Sequence, residues 1–424
     1  MKTAEYFNKL IKDQKNGSDK AICSICSANE FVLEAAMEDG RDNDLMVLIE
    51  ATANQVNQFG GYTGMLPDDF MAFVRRIAKK VGFDESRLII GGDHLGPLTW
   101  QGDTEAVAME KAEELVRQYV AAGFSKIHLD TSMRVADDSK TERLSDETIA
   151  RRAARLCAAA EAAAKQEKPV YVIGSEVPVP GGATENEDSI AVTSPDDLKA
   201  TLNTFKKAFA EKGLSDALTR VVAVVVQPGV EFADNTIIKY DALKAKELIN
   251  CAKNLDGIVL EGHSTDYQPK AALDMMRQDG IAILKVGPAL TFALREALFA
   301  LEDMERILYP FSPAGGYSCF RDVLEGCLMA DEKYWKNYYH GSDQDKAYAR
   351  KYSLSDRCRY YLDNETIKGA IERLITNINA SELPFGLLSQ FFPVQKERIL
   401  TSENKVTAQV LIKEHIKDVI KTYR

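Results

Sequence analysis

Eight short apolar runs, rich in β-branched residues and each followed by a stretch of helical periodicity, fill the first three-quarters of this 424-residue chain. The runs are 21–26 (AICSIC), 45–50 (LMVLIE), 88–92 (LIIGG), 126–130 (KIHLD), 169–174 (PVYVIG), 219–226 (TRVVAVVV), 257–261 (GIVLE) and 281–286 (IAILKV). Amphipathic segments lie between them, among them 69–82, 103–122, 145–166 and 196–212, and a helix over 290–302 completes the eighth unit. Strands that are apolar throughout need cover on both faces, which is the condition of a parallel sheet wrapped by helices. Eight such units predict a closed (β/α)8 TIM barrel, class α/β, over residues 1–308, and an active site at the carboxyl ends of its strands. From 309 to 424 there is no strand-like run. Tyr and charged residues dominate, with helical patterns over 318–330, 364–379 and 405–422, so an α-helical extension packed on the barrel is expected. No low-complexity linker or short repeat separates the two parts.

A formal net charge of −11 argues against nucleic acid or an anionic membrane as the main partner, while leaving small anionic substrates open. No apolar run approaches bilayer-spanning length, and the N-terminus lacks the features of a secretory signal. Seven scattered Cys suit free thiols in a reducing compartment, so a cytoplasmic location is expected. The lone C-x-x-C of Cys23 and Cys26 reads as two small buried residues on the first strand rather than a redox or zinc pair.

Three of the five histidines sit where a strand hands over to a loop: His94 in LIIGGDHLGP, His128 in KIHLD and His263 in IVLEGHSTDYQ. Each has an acid nearby, namely Asp93, Asp130, Glu261 or Asp266. Imidazoles and carboxylates at one barrel rim are the donor set of a metal-assisted site. The expected ligands of a divalent ion (Zn, Mn, Co or Ni) are His94, His263 and Glu176, with Gln227 offering an amide oxygen. Asp93 is assigned acid–base work, with Glu176 binding or orienting beside it. His128 and Asp130 are placed against the substrate or behind the ligands. Glu50, Asn57 and Gln58, in and after the second strand, join the substrate-binding set with Asp266. Gly262 and the Ser264-Thr265 pair around His263 suggest an anion-accepting loop, and Arg295 is a further phosphate candidate. Lys285 could form a Schiff base, but an electrostatic or structural role is preferred. No P-loop, dinucleotide fingerprint or serine elbow is present, which counts against a kinase, a nicotinamide enzyme and an α/β-hydrolase.

The segments IEATANQVNQFGGYTG, GGDHLGP, GFSKIHLD, YVIGSEVPVPGG, VVVQPGVEF, HSTDYQ, ILKVGPALTFALREA and YSLSDRCRYY together resemble the Z-type subunit family of tagatose-bisphosphate aldolase, over nearly the whole chain. The resemblance implies one of two functions. One is a non-catalytic subunit that stabilises a class II D-tagatose-1,6-bisphosphate aldolase. The other is an epimerase acting at C4 of ketohexose 6-phosphates. A more distant similarity to class II metal aldolases aligns Asp93-His94, then Glu176 followed by Gly181-Gly182, then His263 and Lys285-Val286-Gly287. Gln227 stands where those enzymes have a middle histidine, and Glu185 is the nearest acid after the Gly-Gly pair. The preferred reading is a metal-dependent epimerase that interconverts tagatose 6-phosphate and fructose 6-phosphate, or the free ketohexoses, by retro-aldol and aldol steps. The partners would then be the ketohexose or its phosphate and, in the alternative, an aldolase chain. A homo-oligomer stays open.

Overall fold

The computed structural model describes residues 2–165, 167–177, 190–401 and 406–424. Each of the eight apolar runs forms a strand: β1 (Ile22–Ile25), β2 (Val47–Thr52), β3 (Leu88–Leu95), β4 (Lys126–Leu129), β5 (Val170–Ile173), β6 (Val221–Val226), β7 (Val259–Gly262) and β8 (Ile281–Val286). They close into one barrel in chain order, and every pairing is parallel. Helices such as Pro67–Val81, Glu105–Ala122, Asp146–Ala163 and Pro288–Leu308 cover the outside. Their start signals follow ordinary chemistry. Asn29, Ser145, Ser194 and Asp241 cap helices with their side chains, and Pro67, Pro195 and Pro288 occupy first turns.

The barrel interior is layered, because alternate residues of each strand point inward. At the amino-terminal end, Ile22, Leu48, Ile89, Val170, Val172, Val222, Val259 and Ile283 pack on Phe7, Leu10 and Ile11. Those last three belong to the N-terminal helix Thr3–Lys15, which plugs the barrel floor with its apolar face. One layer up, the interior turns ionic with Glu50, Lys126, Glu261 and Lys285. Gly91 makes the room, since a Cβ there would lie 2.6 Å from Glu50 Oε1.

A hairpin of Glu231–Phe232 with Ile237–Ile238 follows β6, where the sequence reading placed only a loop. The C-terminal part is helical, as expected. Its last helix, Ala408–Thr422, packs between Pro288–Leu308 and the helix Glu30–Asp42. Residues 353–360 tie back to the barrel face. Asp234 of the hairpin accepts from Ser353 Oγ, Ser355 Oγ and Leu354 N, and Tyr267 Oη donates to Leu354 O.

Candidate active site

Asp93 and His94 are consecutive, yet both reach the barrel axis. Neighbours in a regular strand point to opposite faces. Here the β3–β4 register shifts between Gly92 and Leu95, and His94 takes φ 47°. Such a bulge re-aims side chains, and a non-glycine residue in the left-handed region costs about 1–2 kcal/mol. The turn beyond is equally tight, since a Cβ on Gly96 would sit 1.6 Å from Asp130 O.

The three histidines converge. Ring centroids lie 4.9 Å apart for His94–His263, and 5.1 Å for both His94–His128 and His128–His263. One ligand atom each from Asp93, His94, His128 and His263 falls within 4.8 Å of the others, and all four residues are buried. Each ring faces a carboxylate. His94 Nδ1 lies 2.8 Å from Asp130 Oδ2, and His263 Nε2 lies 2.9 Å from Glu261 Oε1. His128 Nδ1 lies 2.9 Å from Asp93 Oδ1. An N–H donating to an ionised oxygen suits His94 Nδ1 and His263 Nε2, which leaves the opposite nitrogen of each ring with a lone pair when the ring is neutral, whereas His128 Nδ1 stands between Asp93 Oδ1 and the backbone N–H of His94 at 3.2 Å. His128 Nε2 is buried and has no hydrogen-bond partner among the described residues. Buried polar atoms rarely go unpaired, and an orphan here fits a divalent ion held by imidazole nitrogen and carboxylate oxygen.

Beneath this cluster lies the ionic layer. Lys126 Nζ contacts Glu50 Oε1 at 2.8 Å and Glu261 Oε2 at 3.0 Å. Lys285 Nζ pairs with Glu50, with Asp93 Oδ1 at 2.8 Å and with Glu261 Oε1 at 3.5 Å. Burial alone would push Lys285 down, but Asp93, Glu50 and Glu261 outweigh it and hold the amine well above its ordinary pKa. An ammonium so held is a poor nucleophile, and Lys285 sits as the counter-charge to three carboxylates. Asp93 runs the other way: burial would raise it, yet His94 and Lys285 hold the carboxyl well below the usual range. Burial pushes His263 down to about 3, so its ring is neutral. His94 is held above its ordinary value by Asp93 and Asp130, against the opposing effect of burial.

A cleft opens over these groups, its empty space about 650 Å³ when the part open to solvent is counted. Its wall includes Cys26, Asn54, Gln55, Tyr62, Phe232, Ser264 and Asp266, together with Arg359 and Tyr360 from the C-terminal extension.

A family model described as D-tagatose-1,6-bisphosphate aldolase subunit GatZ/KbaZ-like matches residues 7–424. The chain belongs to this family. Proteins named D-tagatose-1,6-bisphosphate aldolase subunit GatZ from Escherichia coli O1:K1 / APEC and from Escherichia coli O6:K15:H31 (strain 536 / UPEC) are 49% identical over 418 residues, 98% of either chain. A crystal structure described as a probable tagatose 6 phosphate kinase from Sinorhizobium meliloti 1021 is 41% identical, with a TM-score of 0.87 over 95% of this chain and 99% of that one. A glycerol complex of the fructuronate-tagaturonate epimerase UxaE from Cohnella laeviribosi shares the fold at 12% identity, with a TM-score of 0.51 over 95% and 81% of the two chains.

In this GatZ/KbaZ-like chain, several expected site residues are turned elsewhere. Glu176 accepts from Thr193 Oγ1 at 2.5 Å and from Arg143 at 3.3 Å, and it is not among the converging ligands. Gln227 spends its amide oxygen on Gly229 N and Val230 N, which fixes the loop after β6. The third imidazole is instead His128, expected only as a substrate or supporting residue. Glu50 lies below the cavity with both lysines. Asn57 caps its own loop through Phe59 N and Gly61 N, and Gln58 reaches Lys111 O. Thr265 Oγ1 bonds Lys285 O rather than facing the cavity. Asp266 and Ser264 do line it, but Asp266 Oδ1 already accepts from Gly287 N and Ala289 N at the start of Pro288–Leu308. Arg295 is buried against Phe292 and Asp356, outside the cavity wall. Gly181, Gly182 and Glu185 lie outside the described residues. Cys26, Tyr62, Phe232, Arg359 and Tyr360 are wall residues that the site prediction did not include. Cys26 Sγ lies 3.5 Å from Asp93 Oδ2, yet burial raises its thiol well above the ordinary value, so it is a neutral neighbour.

Proposed function

We propose that this protein is a metal-dependent C4 epimerase of ketohexose 6-phosphates, or of the related free ketohexoses, working by retro-aldol and aldol steps. The observation that carries the reading is the convergence of three buried imidazoles beside Asp93, one of them with a buried nitrogen that has no hydrogen-bond partner among the described residues. His94, His128 and His263 would hold the ion, with Asp93 Oδ2 within reach. Glu176 and Gln227, both engaged elsewhere, have no part in this set. A nitrogen-rich donor set favours Zn, Co or Ni over Mn. Such an ion supplies Lewis-acid stabilisation of the oxyanion that carbon–carbon cleavage leaves on a ketose.

The chain's own groups do the rest. Asp93, kept ionised by the charges around it, takes the C4 hydroxyl proton as the C3–C4 bond breaks. It returns the proton when the bond re-forms on the other face of the aldehyde. Lys285 steadies that carboxylate and holds positive charge near the developing oxyanion. Tyr62, Phe232 and Tyr360 narrow the mouth and limit water. No nicotinamide is needed, because no net oxidation occurs.

The names of the 49%-identical relatives favour a second reading, a non-catalytic subunit that stabilises a class II aldolase chain. One experiment addresses both. Purified protein, free of any partner, is incubated with fructose 6-phosphate and Zn, Co, Ni or Mn, and tagatose 6-phosphate is sought by chromatography. Product formed by the native protein and abolished in Asp93→Asn supports the epimerase. No product with any of the four metals overturns it and leaves the subunit reading.

A further inference from the structure

The cavity wall carries two permanent cations, and they differ in one respect. Lys285 is spent on Glu50, Asp93 and Glu261. Arg359 makes no ion pair among the described residues. Its Nη1 donates to the carbonyl oxygens of Ser355 and, at 2.9 Å, of Asp356, and its Nη2 donates to Tyr360 Oη at 2.9 Å. A guanidinium has five N–H donors. Three are used to brace the side chain, which leaves Nε–H and one Nη2–H, on atoms that share one edge of the group. That edge is the one a guanidinium offers to a carboxylate or phosphate in a bidentate contact. The nearest alternative anion site is closed, because the first amides of the helix Pro288–Leu308 are already capped by Asp266. Arg295, the phosphate candidate from the sequence, is buried beside Asp356 and outside the cavity wall.

The position of Arg359 is itself well determined. Ser353, Leu354 and Ser355 are anchored to Asp234, and Asp356 is fixed by Thr291 Oγ1 at 2.6 Å. Tyr360 meets Tyr62 across the cavity mouth at a centroid distance of 4.7 Å and stacks on Tyr334 at 4.9 Å. A cation braced by three hydrogen bonds, without an ion pair among the described residues and set in the cleft wall, is a preorganised anion receptor.

We propose that Arg359 is a specificity-determining residue: it receives the anionic terminus of the sugar, a phosphate monoester or a carboxylate, at the part of the cavity wall that the C-terminal extension supplies. The proposal rests on the reading of this cavity as the sugar site. The C-terminal extension is then part of the substrate site, and the chain selects charged ketoses over neutral ones.

The test is calorimetric binding, which needs no turnover. The zinc-loaded full-length protein is titrated with tagatose 6-phosphate, with fructuronate and with neutral tagatose, for the native chain and for Arg359→Met and Arg359→Lys. The native chain is expected to bind one of the anionic sugars about 10–100-fold more tightly than tagatose, on the strength of a charge-assisted bidentate contact. Whichever anion binds more tightly identifies the terminus. Arg359→Met should erase the preference, and Arg359→Lys should keep part of it, because it has the charge without the fork. Unchanged zinc stoichiometry and melting temperature show that the fold survives, and Arg359→Lys serves if the Met variant does not fold. Equal affinity for charged and neutral sugars in the native chain overturns the proposal, as does a preference that persists in Arg359→Met or is undiminished in Arg359→Lys. If the preference is lost on mutation but fructose 6-phosphate is never epimerised, Arg359 keeps its role and the reaction proposed above falls.

Discussion

Asp130→Asn is a near-isosteric change with a large expected effect on metal affinity. Asp130 Oδ2 lies 2.8 Å from His94 Nδ1, while Oδ1 accepts from Ser132 N at 3.0 Å and Ser132 Oγ at 2.6 Å. An asparagine keeps one oxygen. Two donors at Ser132 claim it, so the amide NH₂ turns toward His94. A donor then faces Nδ1, which must accept, and the imidazole proton moves to Nε2, the nitrogen proposed to bind the ion. Flipping the amide restores the tautomer but sacrifices the bond from Ser132 N, and the carboxylate charge is lost either way. Losing a carboxylate behind a metal-binding histidine typically costs 10–100-fold in affinity, or about 1.4–2.7 kcal/mol. The assay is competition for Zn²⁺ against a chromogenic chelator at pH 7.5, with circular dichroism to confirm the fold. Affinity equal to that of the native chain would refute the argument that Asp130 sets the tautomer of a metal-binding His94.

The barrel's ionic layer should respond sharply to removal of one cation. Lys126→Met leaves Glu50 and Glu261 sharing Lys285, and breaking a buried pair costs about 3–5 kcal/mol. With an unfolding entropy of about 0.9 kcal/mol/K for a chain this long, the melting temperature should fall by about 3–6 °C in calorimetry. Adding Glu50→Gln should recover at least half of that loss, and no recovery would contradict the charge-balance argument. Asp266 supplies a pH test. Burial raises its carboxyl to about 6, so the stability it contributes is fully present below the ordinary carboxylate range and is lost as pH rises through about 6. Asp266→Asn can still accept from Gly287 and Ala289 but cannot ionise. Its melting temperature relative to the native chain should therefore rise between pH 5 and pH 8, by an amount corresponding to about 1.4 kcal/mol, the part of the linkage that lies above pH 5. A flat difference across that range would show that Asp266 ionises normally.

The barrel was readable from sequence because its strands are covered on both faces and leave continuous apolar runs. The hairpin at 231–238 was not, since its two-residue strands carry no periodicity. The plug helix was visible as amphipathic, but its place under the barrel depends on closure, which no local pattern encodes. Within the site, His94 and His263 announced themselves at strand ends. His128 was undervalued because it sits within β4, although Lys126 and His128 at i and i+2 on an otherwise apolar strand mark an inward polar face. Glu176 drew attention through its neighbouring glycines, and only coordinates reveal that Thr193 and Arg143 claim it. Arg359 lies more than 70 residues beyond the last strand, in a segment that the sequence marks only as rich in Tyr and charge. The link between that segment and the cavity is made by Asp234 and Thr291, and no spacing rule reports such tertiary contacts.

The account stands or falls on three imidazoles sharing one ion. X-ray absorption on the zinc-loaded protein, at one equivalent of metal, should give a first shell of about three imidazole nitrogens with the remainder oxygen, and His128→Ala should lower that nitrogen count by one and weaken binding. A nitrogen count unchanged by His128→Ala, or a shell made of oxygen alone, would contradict it.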